Sequence, residues 1–563
     1  MRDRLYLLTL VLIFFLAFIL RFYELGSIPR GLQQDETSIG YNAYSILKTG
    51  KDEYGTSYPL YFKAFGEYKL PGYVYLSVIP ISFFGLTEYA VRFPSALFGS
   101  LTIMAFYFLL RQILDREQKE IALVGALLLA MNPWHIHFSR GAFEVTVALF
   151  FLTLGTFSFI VALRKNLLYA LLSGFCFAFS VYTYTISRLF VPCLILLLIY
   201  LYRKNIKVEQ RKALFLFLIT TVLLLLPFFL TLFSRGGFSA SSGTLIFSSA
   251  AVKAPLLEYR SYFIDEPVLM TKILFNFFAL TGLQYIKNIF SYLSADFFFL
   301  SGSSHGNHGI GNVGMFYLFE LPTMLLGMFY AFTKHKKYFL FFFWAIVSVL
   351  IASLTREAPQ ATRSFYLTIP LSFFSALGIY HVLMHLKNIR RNYLRIFLCN
   401  FIAIFVLYNI VYYFSSYYVR FPIFYAKSWR ATDKVTTDYL VSHGSEYNQI
   451  VIDSDSGFLY TSYLFYSKYP PEQFQKTVRR LPDDREGFSK VVSFGKFTYK
   501  TMDWSMDYQK KNELILTTAD RKPKDIPSLV SFYYPKRPVA LSVNEEILQY
   551  PVEDVSYVLV KSE

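Results

Sequence analysis

A polytopic α-helical membrane protein carrying a C-terminal α/β domain is predicted by three observations on this 563-residue chain. It is 55% apolar and only 17% charged, against about 45–50% and about 25% in ordinary soluble proteins. The apolar residues gather into runs of spanning or near-spanning length over the first 415 positions. Beyond them the chain alternates helical stretches with short β-like runs. So much apolar surface does not fit one soluble core, because such cores stop growing near ~250–300 residues. The same composition excludes disorder and a disulfide-dense secreted scaffold. Cys176, Cys193 and Cys399 all lie within apolar runs and make no CxxC site.

Eleven runs are candidates to cross: 5–20, 90–111, 119–134, 142–163, 167–183, 187–202, 211–233, 314–333, 337–354, 363–386 and 394–414. The first resembles a signal peptide, but no small-residue cleavage site follows, so it is kept as an anchor. The stretch 72–85, GYVYLSVIPISFFG, has 14 residues and is interrupted by Pro80. That length fits an interfacial or re-entrant segment.

Charge sets the expected orientation. Residues 420–563 hold 20 Lys+Arg against 19 Asp+Glu, so nearly all of the net +17 belongs to the membrane half. Such an excess reports orientation in a bilayer, not nucleic-acid binding. With Arg2 and Arg4 inside and eleven spans, the cytoplasmic connections carry 19 Lys+Arg and the short outer ones only Arg140, Arg188, Arg356 and Arg363. Counting 72–85 as a span reverses that asymmetry, so it is not counted. The outer segments are then 21–89, 234–313 and everything after 415. Residues 1–415 form the transmembrane domain and 416–563 an extracytoplasmic α/β domain, with helices near 428–443 and 458–468 and strands such as QIVID, KVVSF, ELILTT, VALSV and VSYVLV. Its near-neutral charge predicts a domain that folds by itself.

The residues that could carry chemistry lie in the outer connections. GLQQDETSIGYNAYSILK places Asp35 and Glu36 where an amphipathic helix starts. An acid there caps free N–H groups or serves as a general base at the membrane surface. Neighbours on a helix do not share a face, so only one of the two addresses a substrate. Lys69, in FGEYKLPGYVYL, is either a snorkelling lysine or a charge for a lipid phosphate. Arg92 follows Glu88 by four residues, which fits a helical ion pair, yet an arginine beside hydrocarbon is a functional candidate. Arg140 and Glu144, in HFSRGAFEV, have the same spacing. Arg188 and Arg363 stand at the starts of spans, and Arg356 and Glu357 share the Arg363 loop. His135 and His137, and His305 and His308 in SHGNHG, lack a third ligand at zinc-like spacing. No cofactor is specified; a divalent metal stays open.

Acids for proton abstraction and bases for phosphate on one membrane face are what sugar transfer from a lipid-phosphate carrier needs. GLxxDE after the first span, YKLPGYVYL, GLTEYAVRFPSALFG and NPWHIHFSRGAFE resemble the GT-C glycosyltransferases. The likeness is to family 39, which includes protein O-mannosyltransferases and lipid A aminoarabinose transferases, and it covers about residues 1–415. The resemblance implies an inverting enzyme of the cell membrane, with its active site outside the cytoplasm. It would move a sugar from a polyprenyl-phosphate donor to an extracytoplasmic protein, lipid or glycan. Asp35 matches the catalytic acid/base position, with Glu36 beside it. Lys69 matches the lysine on the donor phosphate, although Leu70 is inserted before Pro71. Glu144 stands where the family has a second acid, usually Asp. Arg92 and Arg363 are assigned to the donor phosphate, and Arg140, Arg188, His305 and His308 to substrate. The C-terminal region resembles a domain of bacterial relatives and not the sugar-binding insert of eukaryotic mannosyltransferases. Two rival readings are a transporter or flippase, which would favour mid-bilayer charges and internal repeats, and a non-catalytic cell-envelope polysaccharide assembly protein.

Overall fold

The computed structural model describes residues 2–562 apart from 65–66, 116–117, 165, 206, 233–244, 248–255, 263–267, 335, 454–458, 484–488, 536, 544–545 and 553. Parts of the outer segment 234–313, with Arg116 and Lys165 of the cytoplasmic set, therefore lie outside the described residues. Packing divides the chain into two compact units. One comprises Met1–Tyr23, Ser95–Ser139 and Phe143–Tyr413; the other comprises Glu24–Pro94, Arg140–Ala142 and Phe414–Glu563.

The first ten helices are α1 (Arg2–Phe22), α2 (Gln34–Thr49), α3 (Pro71–Phe84), α4 (Glu88–Ile113), α5 (Lys119–Met131), α6 (Pro133–Phe138), α7 (Glu144–Ala162), α8 (Leu168–Thr183), α9 (Ser187–Tyr202) and α10 (Val208–Leu232). The later membrane-half helices include Glu320–Lys334, Phe339–Ala352, Thr368–Lys387 and Asn392–Ser415. Each of the eleven apolar runs contains a helix, although in 314–333 the helix begins only at Glu320. Among the described residues, six helical segments are long and apolar enough to cross a bilayer: Arg4–Phe22, Glu88–Ile113, Glu144–Ala162, Gln210–Leu230, Ala361–Lys387 and Asn392–Phe424. The rest of the eleven are shorter. Helix α3, with 14 residues, rises about 21 Å, short of a hydrocarbon core about 30 Å thick.

In the first unit α1 packs on α5, α8 on both α7 and α10, and Glu320–Lys334 on Thr368–Lys387. The last contact depends on two glycines. A Cβ at Gly327 would overlap the Phe374 carbonyl, and one at Gly378 would overlap that of Thr323. Small residues let the backbones touch where lipid gives helices little hydrophobic reason to associate. Trp134, fully buried, is ringed by Phe297, Phe316 and Phe365.

The second unit has a hairpin of β1 (Phe62–Ala64) and β2 (Glu67–Lys69), with Phe62 opposite Lys69. Its sheet uses β3 (Gln449–Asp453), β4 (Arg479–Arg480), β5 (Val491–Phe494), β6 (Phe497–Lys500), β7 (Glu513–Thr518), β8 (Val530–Tyr533) and β11 (Val555–Lys561); β9 (Arg537–Val543) and β10 (Glu546–Val552) pair separately. The order is β4-β5-β6-β3-β7-β11-β8. Strand β3 pairs parallel with β6 on one side and with β7 on the other, and the remaining neighbouring pairs of this sheet are antiparallel. The five β-like runs read from the sequence are all strands.

The sequence places residues 24–94 with the membrane domain, whereas packing puts them with the C-terminal segment. The physical reason is α2, which lies on the helix Leu459–Tyr466. A Cβ on Gly40 would meet both Phe465 and Val91. The Thr37 hydroxyl donates to Thr461 Oγ1 at 3.0 Å, and Gln475 donates to the Asp52 carbonyl at 2.8 Å. The C-terminal segment thus shares its packing with the first outer segment.

A buried carboxylate sits in this joint. Glu53 donates its backbone N–H to Asn42 Oδ1 at 3.0 Å, and Arg480 donates to its carbonyl at 3.1 Å. Burial pushes the Glu53 carboxyl up to about 7, with Asp52 adding and Arg480 opposing. The folded state then holds a proton that the unfolded chain releases near its ordinary value, so this contribution to stability falls as pH rises from about 4.5 to about 7. Glu53→Gln is expected to stabilise the protein in detergent at pH 8, by up to about 3 kcal/mol for a shift of this size, with the gain gone near pH 4.5. A variant no more stable than wild type at pH 8 contradicts this.

Candidate active site

The two acids that the sequence could not separate take different places. Gln33 caps α2, and Glu36, its third residue, accepts the Gln33 backbone N–H at 3.0 Å. Glu36 also accepts the Ala142 N–H at 2.9 Å and pairs with Arg92 through Nε at 2.9 Å and Nη2 at 3.2 Å. Both side chains are wholly inaccessible. The capping role therefore belongs to Glu36, not Asp35.

Arg92 was expected on the donor phosphate, or in a helical pair with Glu88. Instead Glu88 pairs with Lys434 at 3.0 Å. Beyond Glu36, Arg92 donates to the carbonyls of Leu25 at 3.1 Å, Pro29 at 2.9 Å and Gly31. A guanidinium has five N–H donors, and all five are used, which leaves none for a phosphate. Arg140, also fully buried, donates to the carbonyls of Ile28 at 3.1 Å and Glu24 at 3.4 Å, with its guanidinium 5.5 Å from the rings of Tyr417 and Tyr418. Two buried arginines thus fix the loop that leads into α2.

Asp35 is what that scaffold presents. Its side chain is 47% exposed, and its Oδ1 accepts from Lys69 Nζ at 2.9 Å, while Lys69 is 5% exposed. Lys69 is fixed because β2 ends on it and Pro71 starts α3 two residues later, where proline's missing N–H costs nothing. In the same unit an open cavity of about 580 Å³ is lined by Ser27, Arg30, Gly31, Thr432, Tyr533 and Tyr534. One wall is the loop whose carbonyls Arg92 and Arg140 hold.

The remaining candidates belong to the first unit. Glu144 opens α7. Tyr184 is buried, which drives its hydroxyl well above the usual tyrosine value; Arg363 opposes that shift and Glu144 adds to it, so these three groups share one electrostatic neighbourhood. Arg363 lies 3.9 Å from Glu357, as does His305. The His308 ring is 5.7 Å from that of His305 and packs on Phe138 and Phe143; His137 Nε2 bonds the Asn307 carbonyl at 2.9 Å. The guanidinium of Arg188 stands over the Phe228 ring at 4.8 Å. Among the described residues no group of three or more His, Cys, Asp or Glu is placed to hold a metal. An apolar groove of about 450 Å³ is lined by Leu293, Phe298, Leu321, Met324, Leu371 and Phe374. Tyr184 was not singled out by sequence, because one tyrosine among 45 carries no signal of its own.

A family model for dolichyl-phosphate-mannose-protein mannosyltransferases matches residues 69–232. ArnT from Cupriavidus metallidurans in the apo state is similar in structure over 98% of this chain and 97% of that one, with a TM-score of 0.55 and 11% identity. The chain has the GT-C fold and resembles glycosyltransferase family 39. The same ArnT bound to undecaprenyl phosphate matches over equal shares at a TM-score of 0.54 and 10% identity. The archaeal oligosaccharyltransferase AglB from Archaeoglobus fulgidus, in complex with an inhibitory peptide and a dolichol-phosphate, matches at a TM-score of 0.50 and 14% identity. That match covers 83% of this chain and 64% of AglB, so the chain spans under two thirds of that relative's length. No curated protein matches in sequence. The GT-C fold with its C-terminal sheet, on several apolar helices, makes this a multi-pass membrane protein.

Proposed function

We propose that the protein is an inverting membrane glycosyltransferase that moves a sugar from a polyprenyl-phosphate carrier to an acceptor outside the cytoplasm. The observation that carries this reading is the half-exposed Asp35 carboxylate, in the first turn of a helix whose entry loop two buried arginines fix, bonded to the nearly buried Lys69 ammonium. In the proposed step the donor phosphate takes Lys69 as its counter-charge, and the ion pair with Asp35 loosens. Asp35 then accepts the proton of the acceptor hydroxyl as its oxygen attacks the anomeric carbon from the face opposite the phosphate. The bond from the anomeric carbon to the phosphate oxygen breaks, and Lys69 offsets the charge left on the carrier. In the unit that holds Asp35 and Lys69, the cavity of about 580 Å³ has the hydroxyls, aromatic rings and single arginine suited to an acceptor. Glu144, as a second acid, and Arg363, as a charge for the donor phosphate, share the neighbourhood of Tyr184.

Binding of undecaprenyl phosphate to the purified protein tests the lipid-phosphate half of this proposal. Wild type is expected to bind saturably, and Lys69→Met about tenfold more weakly, the size of one lost charge-assisted contact. Equal affinity in the two proteins would remove Lys69 from the phosphate site.

A further inference from the structure

The C-terminal sheet has a second pocket that the transfer chemistry leaves unused. In parallel sheets ligands collect beyond the carboxyl ends of the strands, where the strand order reverses. Here β3 is followed in sequence by β6 on one side and β7 on the other, so the reversal falls at β3. Asp453, the last residue of β3, ties the three strand ends together. It accepts the Thr517 hydroxyl at 2.6 Å, the Met502 N–H at 3.1 Å and Arg521 at 3.3 Å.

The segments leaving β6 and β7 enclose a cavity of about 530 Å³ lined by Trp504, Ser505, Tyr508, Gln509 and Asp525 together with Pro523 and Ile526. Trp504 and Tyr508 are four residues apart on one short helical turn, so their rings share a face. Both pack against the core formed by Val451, Met502, Ile515, Ile526 and Val560, which fixes them as a platform. The rim is fixed as well. Lys500 and Lys510 are both paired with Asp507, and Lys522 is bonded to the carbonyls of Pro523 and Ile526. Among the described residues no lysine or arginine lines the cavity itself, and Lys524, between the lining residues Pro523 and Asp525, is exposed.

We infer that this pocket binds a neutral oligosaccharide. Rigid aromatic faces attract the C–H faces of sugar rings, and a carboxylate, an amide and a hydroxyl around them suit sugar hydroxyls. The absence of a lining cation and the presence of Asp525 disfavour phosphates and acidic sugars. The volume admits a short chain of sugar rings. This inference does not depend on Asp35 being the base.

Saturation-transfer NMR on the full-length protein in detergent tests it, with mannotriose, maltotriose and cellotriose as neutral probes and trigalacturonate as the acidic one. At least one neutral trisaccharide is expected to bind saturably and trigalacturonate more weakly, with Trp504→Ala and Asp525→Ala each lowering affinity about tenfold. Because Trp504 contacts the core, Gln509→Ala, at an exposed position, provides a variant that leaves packing intact and should also weaken binding. Failure of all three neutral probes, tighter binding of trigalacturonate, or unchanged affinity in both Asp525→Ala and Gln509→Ala would each overturn the inference.

Discussion

Arg92→Leu is expected to leave almost no folded protein. The substitution strands the Glu36 carboxylate in a site with no solvent access and removes the donors for the Leu25, Pro29 and Gly31 carbonyls. Breaking a buried ion pair by removing one partner costs about 3–5 kcal/mol, a large part of a typical total stability of about 5–15 kcal/mol. Glu36→Gln should be nearly as harmful, since it leaves the guanidinium uncompensated. Replacing both residues with leucine is expected to recover only part of the loss, because the carbonyls still lack donors. Size-exclusion profiles and thermal midpoints in detergent check this; a monodisperse Arg92→Leu protein with a wild-type midpoint contradicts it.

Asp35→Asn should behave in the opposite way. Its side chain is half in water, and the asparagine amide oxygen can still accept from the nearly buried Lys69, so the midpoint should move far less than in Arg92→Leu. Turnover should fall by about 10²–10⁴, the usual contribution of a placed general base. Neighbouring carboxylates then give contrary phenotypes, one losing the fold and the other losing the chemistry. Should Asp35→Asn keep wild-type turnover while losing stability, the carboxylate is structural and the base must be sought elsewhere.

Much of the fold was legible because it follows from local pattern. Long apolar runs in the first 415 residues become helices, and QIVID, ELILTT and VSYVLV become sheet strands because alternation and β-branched residues act over a few positions. The allocation of the first outer segment was not legible. The close approach of Gly40 to Phe465 joins positions more than 400 apart, and no local pattern records it. The site divides along the same line. The Asp35–Lys69 pair joins two positions that the motifs had singled out, whereas Arg92 and Arg140 looked like substrate contacts because an arginine near hydrocarbon is costly. Their carbonyl partners in the loop 24–31 carry no side-chain signal. The order of capping was hidden for a similar reason: Asp35 and Glu36 are equivalent until Arg92 arrives from α4 to take one of them.

The most direct test of the account is sugar transfer by the purified full-length protein from a panel of polyprenyl-phosphate-linked sugars, followed by release of the polyprenyl phosphate and by the anomeric configuration of the product. Wild type is expected to release the carrier from at least one donor with inversion, and Asp35→Asn, equally folded, to do so about 10²–10⁴-fold more slowly. Donors left intact by wild type, retention of configuration, or equal rates in the two proteins would contradict it.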